Sequence, residues 1–153
     1  MPPLVLALLI GGVAGLRSMT APTAIAWAAA AGWLPLAGSW LGWMEWWGTP
    51  WIFTLLAIGE LVADKLPTTP SRKAPPGFVG RLLSGALCGA AIGLAASSLP
   101  LCVAAGVLGA VLGTYGGHAA RMALGRAFGT DLPAALVEDL AAIGIAAFVA
   151  ASL

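Results

Sequence analysis

Charge is scarce in this sequence. Only 8% of its 153 residues are charged and 60% are apolar, whereas roughly a quarter of an ordinary soluble domain is charged. Seven basic and six acidic residues are too few to cover the surface of a 15.3 kDa globule. This shortage excludes a conventional soluble domain. Together with a mean hydropathy of +0.97, it predicts an integral membrane protein whose surroundings are the lipid bilayer.

Residues that carry catalytic or metal chemistry are also few. His118 is the only histidine, which excludes a histidine nucleophile working with a second histidine as acid. No run of spaced aspartates forms a metal cluster, and Cys88 and Cys102 lie in apolar segments without metal-ligand spacing. No basic run indicates a nucleic-acid partner. We therefore expect no metal, no cofactor and no nucleic acid.

Apolar runs predict one all-α transmembrane domain over residues 1–153 with about five helices. Thirty helical residues rise about 45 Å, well beyond the roughly 30 Å of hydrocarbon in a bilayer, so the first run must deviate from one straight span. We expect a kink or break near GLRSMTAP (15–22), because Pro22 frees the carbonyl of Ser18 for another partner. The predicted spans are 4–33, 51–66, 82–99, 101–128 and 132–153.

Tryptophan crowds the segment between the first two spans. Residues 35–50 (PLAGSWLGWMEWWGTP) place Trp40, Trp43, Trp46 and Trp47 around one acid, Glu45. Indole has an apolar body and a single N–H donor, which suits the headgroup level of a membrane. The pattern predicts an interfacial segment, with a tryptophan cage for a ligand as the alternative.

Basic residues are concentrated beside two loops, which a chain with five spans places on the same side of the membrane. Lys65, Arg72, Lys73 and Arg81 flank the loop after the second span, and Arg121 and Arg126 precede the loop after the fourth. By the positive-inside rule that side is the cytoplasm. The sequence therefore predicts a multi-pass protein of the bacterial inner membrane with a cytoplasmic N-terminus and the C-terminus outside.

Glycine recurs at every fourth position of two spans. Gly109, Gly113 and Gly117 form one ridge of the fourth span, and Gly85 and Gly89 form another in the third. Such ridges let helix backbones come close in lipid, so we expect these five glycines at helix contacts, including those of a homodimer. Residues 13–22 also align with 111–120, and Glu60 with Glu138, which predicts an inverted-topology repeat of the kind many transporters use.

Several ionisable residues fall inside or close to apolar spans. A charge at the centre of a lone helix costs about 2.5 to 3.5 kcal/mol on insertion scales, so these groups should pair with one another. We expect Arg17 and Arg121 to balance Glu60 and Glu138, with His118 able to change charge near neutral pH. Asp64, Asp139 and Arg126 lie nearer span ends, where solvated positions are favoured.

Three sequence motifs carry a resemblance that spans nearly the whole chain. GLRSMTAP at 15–22, GELVADKLPTTPSR at 59–72 and PPGFVGR at 75–81 resemble the signature of an uncharacterised family of small bacterial integral membrane proteins, one catalogued as a domain of unknown function. The resemblance implies a polytopic membrane fold. It implies no activity.

Two classes of function remain open. The favoured class is a small transporter or channel for an ion or small polar solute, with a buried acid and base cluster, in which His118 and Glu60 are the proton-coupling candidates. The alternative is a membrane enzyme or lipid-handling protein acting on a lipid or isoprenoid phosphate, because Lys65 and Arg72 are similar to the first basic motif of lipid phosphatases. The candidate binding residues are Arg17, Ser18, Thr20, Glu60, Asp64, His118, Arg121 and Glu138.

Overall fold

The computed structural model describes residues 1–64 and 75–153, which form six α-helices and one short 3-10 helix. Within these two ranges there is no strand, which confirms the predicted all-α class. The α-helices are α1 (Pro3–Leu16), α2 (Thr20–Ala30), α3 (Gly48–Ala63), α4 (Pro75–Ala95), α5 (Leu99–Phe128) and α6 (Asp131–Ala151), and the 3-10 helix is Gly42–Glu45.

Three of these helices, α4, α5 and α6, are long and apolar enough to cross a membrane. The helices α1 and α3 are apolar but shorter, with 14 and 16 residues. Large apolar side chains cover the outside of the bundle, and Leu55, Leu83 and Leu140 are each about two-thirds exposed or more. These features fit a membrane protein, while only three helices, rather than the predicted five, meet the length of a span.

The first apolar run breaks where GLRSMTAP predicts. The helix α1 ends at Leu16 and α2 begins at Thr20. The two helices then run in opposite directions, because residues at the start of α1 (Met1, Pro3 and Leu6) and residues just after α2 (Trp33, Leu34 and Pro35) line one groove. Residues 3–30 therefore form a helical hairpin instead of the single span predicted over 4–33. We call residues 17–19, between its two helices, the hairpin tip.

The helix α5 packs against both α1 and α4, which also contact each other. It runs parallel to α1, since Gly109 lies against Leu8 and Gly113 against Gly12, and antiparallel to α4, since Gly85 lies against Gly106 and Gly89 against Cys102. An inverted repeat requires the first and fourth predicted spans to run in opposite directions. Parallel packing of α1 and α5 contradicts that requirement, and α5 also continues unbroken through the positions aligned with the tip.

Glycines make this close packing possible. A Cβ atom on Gly11 of α1 would collide with the carbonyl oxygen of Gly106 on α5, and one on Gly106 would collide with the carbonyl oxygen of Gly85 on α4. Three helices thus meet at one level with backbone against backbone. The five glycines predicted at helix contacts all lie against other elements of the same chain, so their ridges are used within one subunit and give no reason to expect a homodimer.

Both termini lie at the same end of the bundle. Met1 and Leu153 line the same groove, together with Ala95 at the end of α4. This geometry differs from the predicted placement of the two termini on opposite sides, because the hairpin adds one reversal of chain direction. The opposite end, which we call the basic end, carries the start of α4, the end of α5 and the start of α6, with Arg121 and Arg126.

The tryptophan-rich segment lies at the end of the bundle that carries the termini. The side chains of Trp40, Trp43, Trp46 and Trp47 are each about half exposed or more. The buried Met44 holds the 3-10 helix against α2, and a carboxylate oxygen of Glu45 accepts the backbone N–H of Leu36 at 2.5 Å. The indoles thus face outward from a fixed segment, as an interfacial position requires.

Candidate functional site

Arg17 is the first residue of the hairpin tip and leaves the helical conformation there, with φ −141° and ψ 110°. Only 1% of its surface is exposed, which makes it the bulkiest of the fully buried side chains. Its two terminal nitrogens donate to two carboxylates on different helices, Asp64 at the end of α3 and Asp139 on α6. One buried guanidinium therefore links the tip to both α3 and α6.

The two ion pairs differ from the predicted pairs. Asp64 and Asp139, expected in solvated positions, hold Arg17, and Asp139 is buried. Glu138, the expected partner, is the neighbour of Asp139. Because successive residues of an α-helix point about 100° apart, only one of the two faces the tip. Glu138 is also buried, but its carboxylate lies beside Gly117 of α5.

The side chain of Glu60 binds the backbone of the hairpin tip. Its two carboxylate oxygens accept the N–H groups of Ser18 and Met19, each at 2.8 Å. These residues precede α2, whose N-terminal N–H groups have no partners within the helix, and Met19 supplies no side-chain cap. A carboxylate on α3 thus caps α2, where the helix dipole also favours negative charge.

Polar side chains from α4 and α5 meet the carbonyl groups of the tip. Arg81 donates to the carbonyl oxygens of Gly15 at 2.6 Å and Leu16 at 3.3 Å, at the C-terminus of α1. Thr114 on α5 donates to Gly15 at 3.3 Å. Ser84 donates to the carbonyl oxygen of Ser18 at 2.6 Å, so the carbonyl freed by Pro22 has the separate partner that the sequence predicts.

Arg81, Ser84 and Thr114 were not among the predicted site residues. Arg81 appeared only as a basic residue flanking a loop, yet its side chain is buried. The one signal for it was its place at the end of PPGFVGR, one of the three motifs. Ser84 and Thr114 gave no signal, because single hydroxyl residues in apolar helices also commonly bond to their own backbone, as Thr114 does to Ala110 at 2.8 Å.

Arg121 forms a second, more exposed cluster towards the basic end. Its guanidinium donates twice to Asp131, at 2.9 and 2.5 Å, and lies 3.8 Å from a carboxylate oxygen of Glu138. The predicted pairing of Arg121 with Glu138 is thus present only as a long contact, because Asp131 takes the closer position. His118 is half-buried on α5, one turn before Arg121.

Thr20 lies at the start of an apolar groove and not within the ion pairs. This lateral groove has a volume of about 350 Å³ and is bordered by α2, α3 and α6. Its ends are marked by Thr20 beside the tip and by Trp27 towards the termini. The full lining comprises Thr20, Thr23, Ala24, Trp27, Thr54, Ala57, Ile58, Leu61, Ile143, Ala146, Ala147 and Ala150.

One expectation depends on residues outside those that the structure describes. Lys65 and Arg72, on which the lipid-phosphatase similarity depends, belong to the range 65–74.

No family model, curated protein or solved structure matches this chain. The resemblance to an uncharacterised membrane family therefore stays a prediction, and the site must be interpreted from its own geometry.

Proposed function

We propose that this protein is a small membrane transporter or channel for an ion or small polar solute, and that the hairpin tip is its binding site. The observation that carries the proposal is the buried position of Arg17 between Asp64 and Asp139 at a break in helical structure. Broken helices in membrane proteins are tolerated where protein surrounds them, and transporters use their ends to bind solutes.

The depth of the tip supports this proposal. The 14 residues of α1 rise about 21 Å, less than the roughly 30 Å of hydrocarbon. With the exposed tryptophans at headgroup level beside the start of α1, the tip lies inside the hydrocarbon layer. We therefore propose that α1 and α2 enter the membrane and return to the same side, while α4, α5 and α6, which are long enough, cross it.

The charges at the tip favour binding over scaffolding. Buried ion pairs contribute little net stability, because desolvation offsets much of their attraction. Placing a charge inside the membrane costs free energy, and a protein that only held helices together would gain little in return. In addition, Nε of Arg17 is buried and has no hydrogen-bond partner among the described residues.

The distribution of charge supports an orientation. Arg121 and Arg126 lie at the basic end, and the sequence joining α3 to α4 contributes Lys65, Arg72 and Lys73. By the positive-inside rule, we propose that this end faces the cytoplasm of a bacterial inner membrane. Both termini then face the opposite side, which replaces the cytoplasmic N-terminus expected from five spans.

Flux into proteoliposomes tests the function. The variant Glu60→Gln keeps one acceptor oxygen for the tip but removes its charge, and we expect it to lose uptake of the transported ion or solute. Glu45→Gln is the matched control, because Glu45 also accepts a backbone N–H but lies in the tryptophan-rich segment. A panel of labelled cations, anions and small polar solutes is screened first with the unaltered protein.

Two outcomes contradict the proposal. Either no member of the panel enters faster than into protein-free vesicles, or Glu60→Gln and Arg17→Ala both transport as well as Glu45→Gln. Release of phosphate from lipid or isoprenoid phosphates would instead support the alternative of a membrane enzyme.

A further inference from the structure

The lateral groove is apolar although four of its lining residues carry polar atoms. The hydroxyl of Thr23 donates to the carbonyl oxygen of Met19 and that of Thr54 to the carbonyl oxygen of Pro50, each at 2.6 Å. The indole N–H of Trp27 donates to the hydroxyl of Thr54 at 3.1 Å. The polar side-chain groups of Thr23, Trp27 and Thr54 are thus bonded to one another or to their own helix, and the groove presents mainly methyl and methylene groups.

Small residues leave the space of the groove, and large residues form its borders. Ala24 on α2, Ala57 on α3 and Ala146 on α6 leave space between three helices. Trp27 closes the end towards the termini, where its ring packs edge to face against the rings of Trp47 and Trp51 with centroids 5.8 and 5.1 Å apart. The groove is thus a slot with one aromatic end.

The open side of the groove continues into the lipid-facing surface. Ile58 on α3 and Ile143 on α6 line the groove and are each about half exposed, and Leu55 and Leu140 beside them on the same helices are more exposed still. At the other end, Thr20 and Leu61 lie within three residues of Arg17 and Glu60. An occupant entering from the side would therefore be apolar along its length and would end near charged groups.

We propose that the lateral groove binds one acyl chain of a bilayer phospholipid, which enters between α3 and α6. The volume of about 350 Å³ lies near the lower end of the range for ligand pockets, about 300 to 1,000 Å³, and suits a single chain. The bound chain fills the space between the two helices that supply Asp64 and Asp139. This proposal does not depend on the proposed transport function.

Photocrosslinking tests the site. The protein is reconstituted in phosphatidylcholine nanodiscs that contain a phosphatidylcholine with a diazirine on one acyl chain, irradiated, and mapped by mass spectrometry. We expect adducts on Ala57 to exceed those on Leu83, which is exposed on α4 outside the groove. In Ala147→Phe, whose new ring occupies the groove, we expect the yield at Ala57 to fall about tenfold, equivalent to about 1.4 kcal/mol of binding free energy.

Ala141→Phe is the matched control. Ala141 and Ala147 are both exposed alanines on α6, but only Ala147 lines the groove. The control is expected to label at Ala57 like the unaltered protein, and gel filtration shows whether each variant is folded. Equal labelling of Ala57 and Leu83, or an unchanged yield at Ala57 in folded Ala147→Phe, would overturn the proposal.

Discussion

Glu60 accepts the backbone N–H of Met19 across 41 residues of sequence, at 2.8 Å. Its other carboxylate oxygen accepts the preceding N–H, that of Ser18. A helix N-terminus inside a bundle has no water to satisfy its donors, so its partner must come from elsewhere in the protein. The capping of α2 by α3 therefore explains how the hairpin tip persists inside the bundle.

Glu60→Ala tests the importance of this cap for stability. Leaving a buried donor without a partner costs about 1 to 3 kcal/mol, so we expect Glu60→Ala to unfold at a lower temperature in detergent than the unaltered protein. Glu60→Gln retains an acceptor oxygen and should lose less. If Glu60→Ala unfolds at the same temperature as the unaltered protein, the carboxylate does not cap α2.

Breaking the buried ion pairs should be more costly. Removing one partner of a buried pair typically destabilises a protein by about 3 to 5 kcal/mol, because the other charge remains buried. We expect this range for Arg17→Met, measured by chemical unfolding in micelles, and a partial recovery when Asp139→Asn is added.

Arg126→Met provides the control for that measurement. Arg126 is an exposed arginine of α5 whose side chain donates only to the carbonyl oxygen of Met122 among the described residues. Its loss should change stability little. Equal effects of Arg17→Met and Arg126→Met would show that Arg17 is not buried in an ion-pair network.

The sequence predicted which residues lie at the tip better than it predicted their partners. Apolar composition placed Arg17 out of water, and Pro22 marked the break and the free carbonyl of Ser18. The choice of Asp139 over Glu138 depends on the rotation of α6 about its axis. Two adjacent acids are equivalent in composition, and only the packing of α6 against the tip distinguishes them.

Backbone contact between helices predicts opposite effects for two glycines of α5. A methyl group at Gly106 would collide with the carbonyl oxygen of Gly85, so Gly106→Ala should destabilise by about 1 to 3 kcal/mol or fail to fold. Gly116 has no other helix within contact distance among the described residues. Gly116→Ala should therefore stabilise by about 0.5 to 1 kcal/mol. Thermal unfolding of both variants checks the sign of each effect.

Thiol accessibility tests the placement of the termini. Cys88 and Cys102 are buried, so the native thiols give little background. In intact bacterial cells, Ala151→Cys near the C-terminus should react with a membrane-impermeant maleimide. Thr130→Cys at the basic end should react only after the membrane is permeabilised. The reverse pattern would place the basic end outside and contradict the proposed orientation.

The hairpin could not be predicted from the sequence because the signal for a break does not specify direction. A proline and a short polar stretch in a thirty-residue apolar run are compatible with a kinked span and with a reversal. The difference lies in contacts remote in sequence, such as those that bring Met1 near Leu34 and Leu153. Glycine spacing likewise predicted close helix contacts but not that α1 and α5 run parallel.

Gly11, Gly106 and Gly85 lock α1, α5 and α4 together at one level, whereas the lateral groove separates α3 from α6. The helices α1, α4 and α5 thus pack backbone against backbone, whereas the groove lies between α3 and α6. Arg17 directly follows α1, while the two carboxylates that bind it lie at the end of α3 and on α6. A displacement of α3 or α6 relative to the three close-packed helices would therefore change the Arg17 ion pairs, which links the arrangement of the helices to the charge at the centre of the bundle.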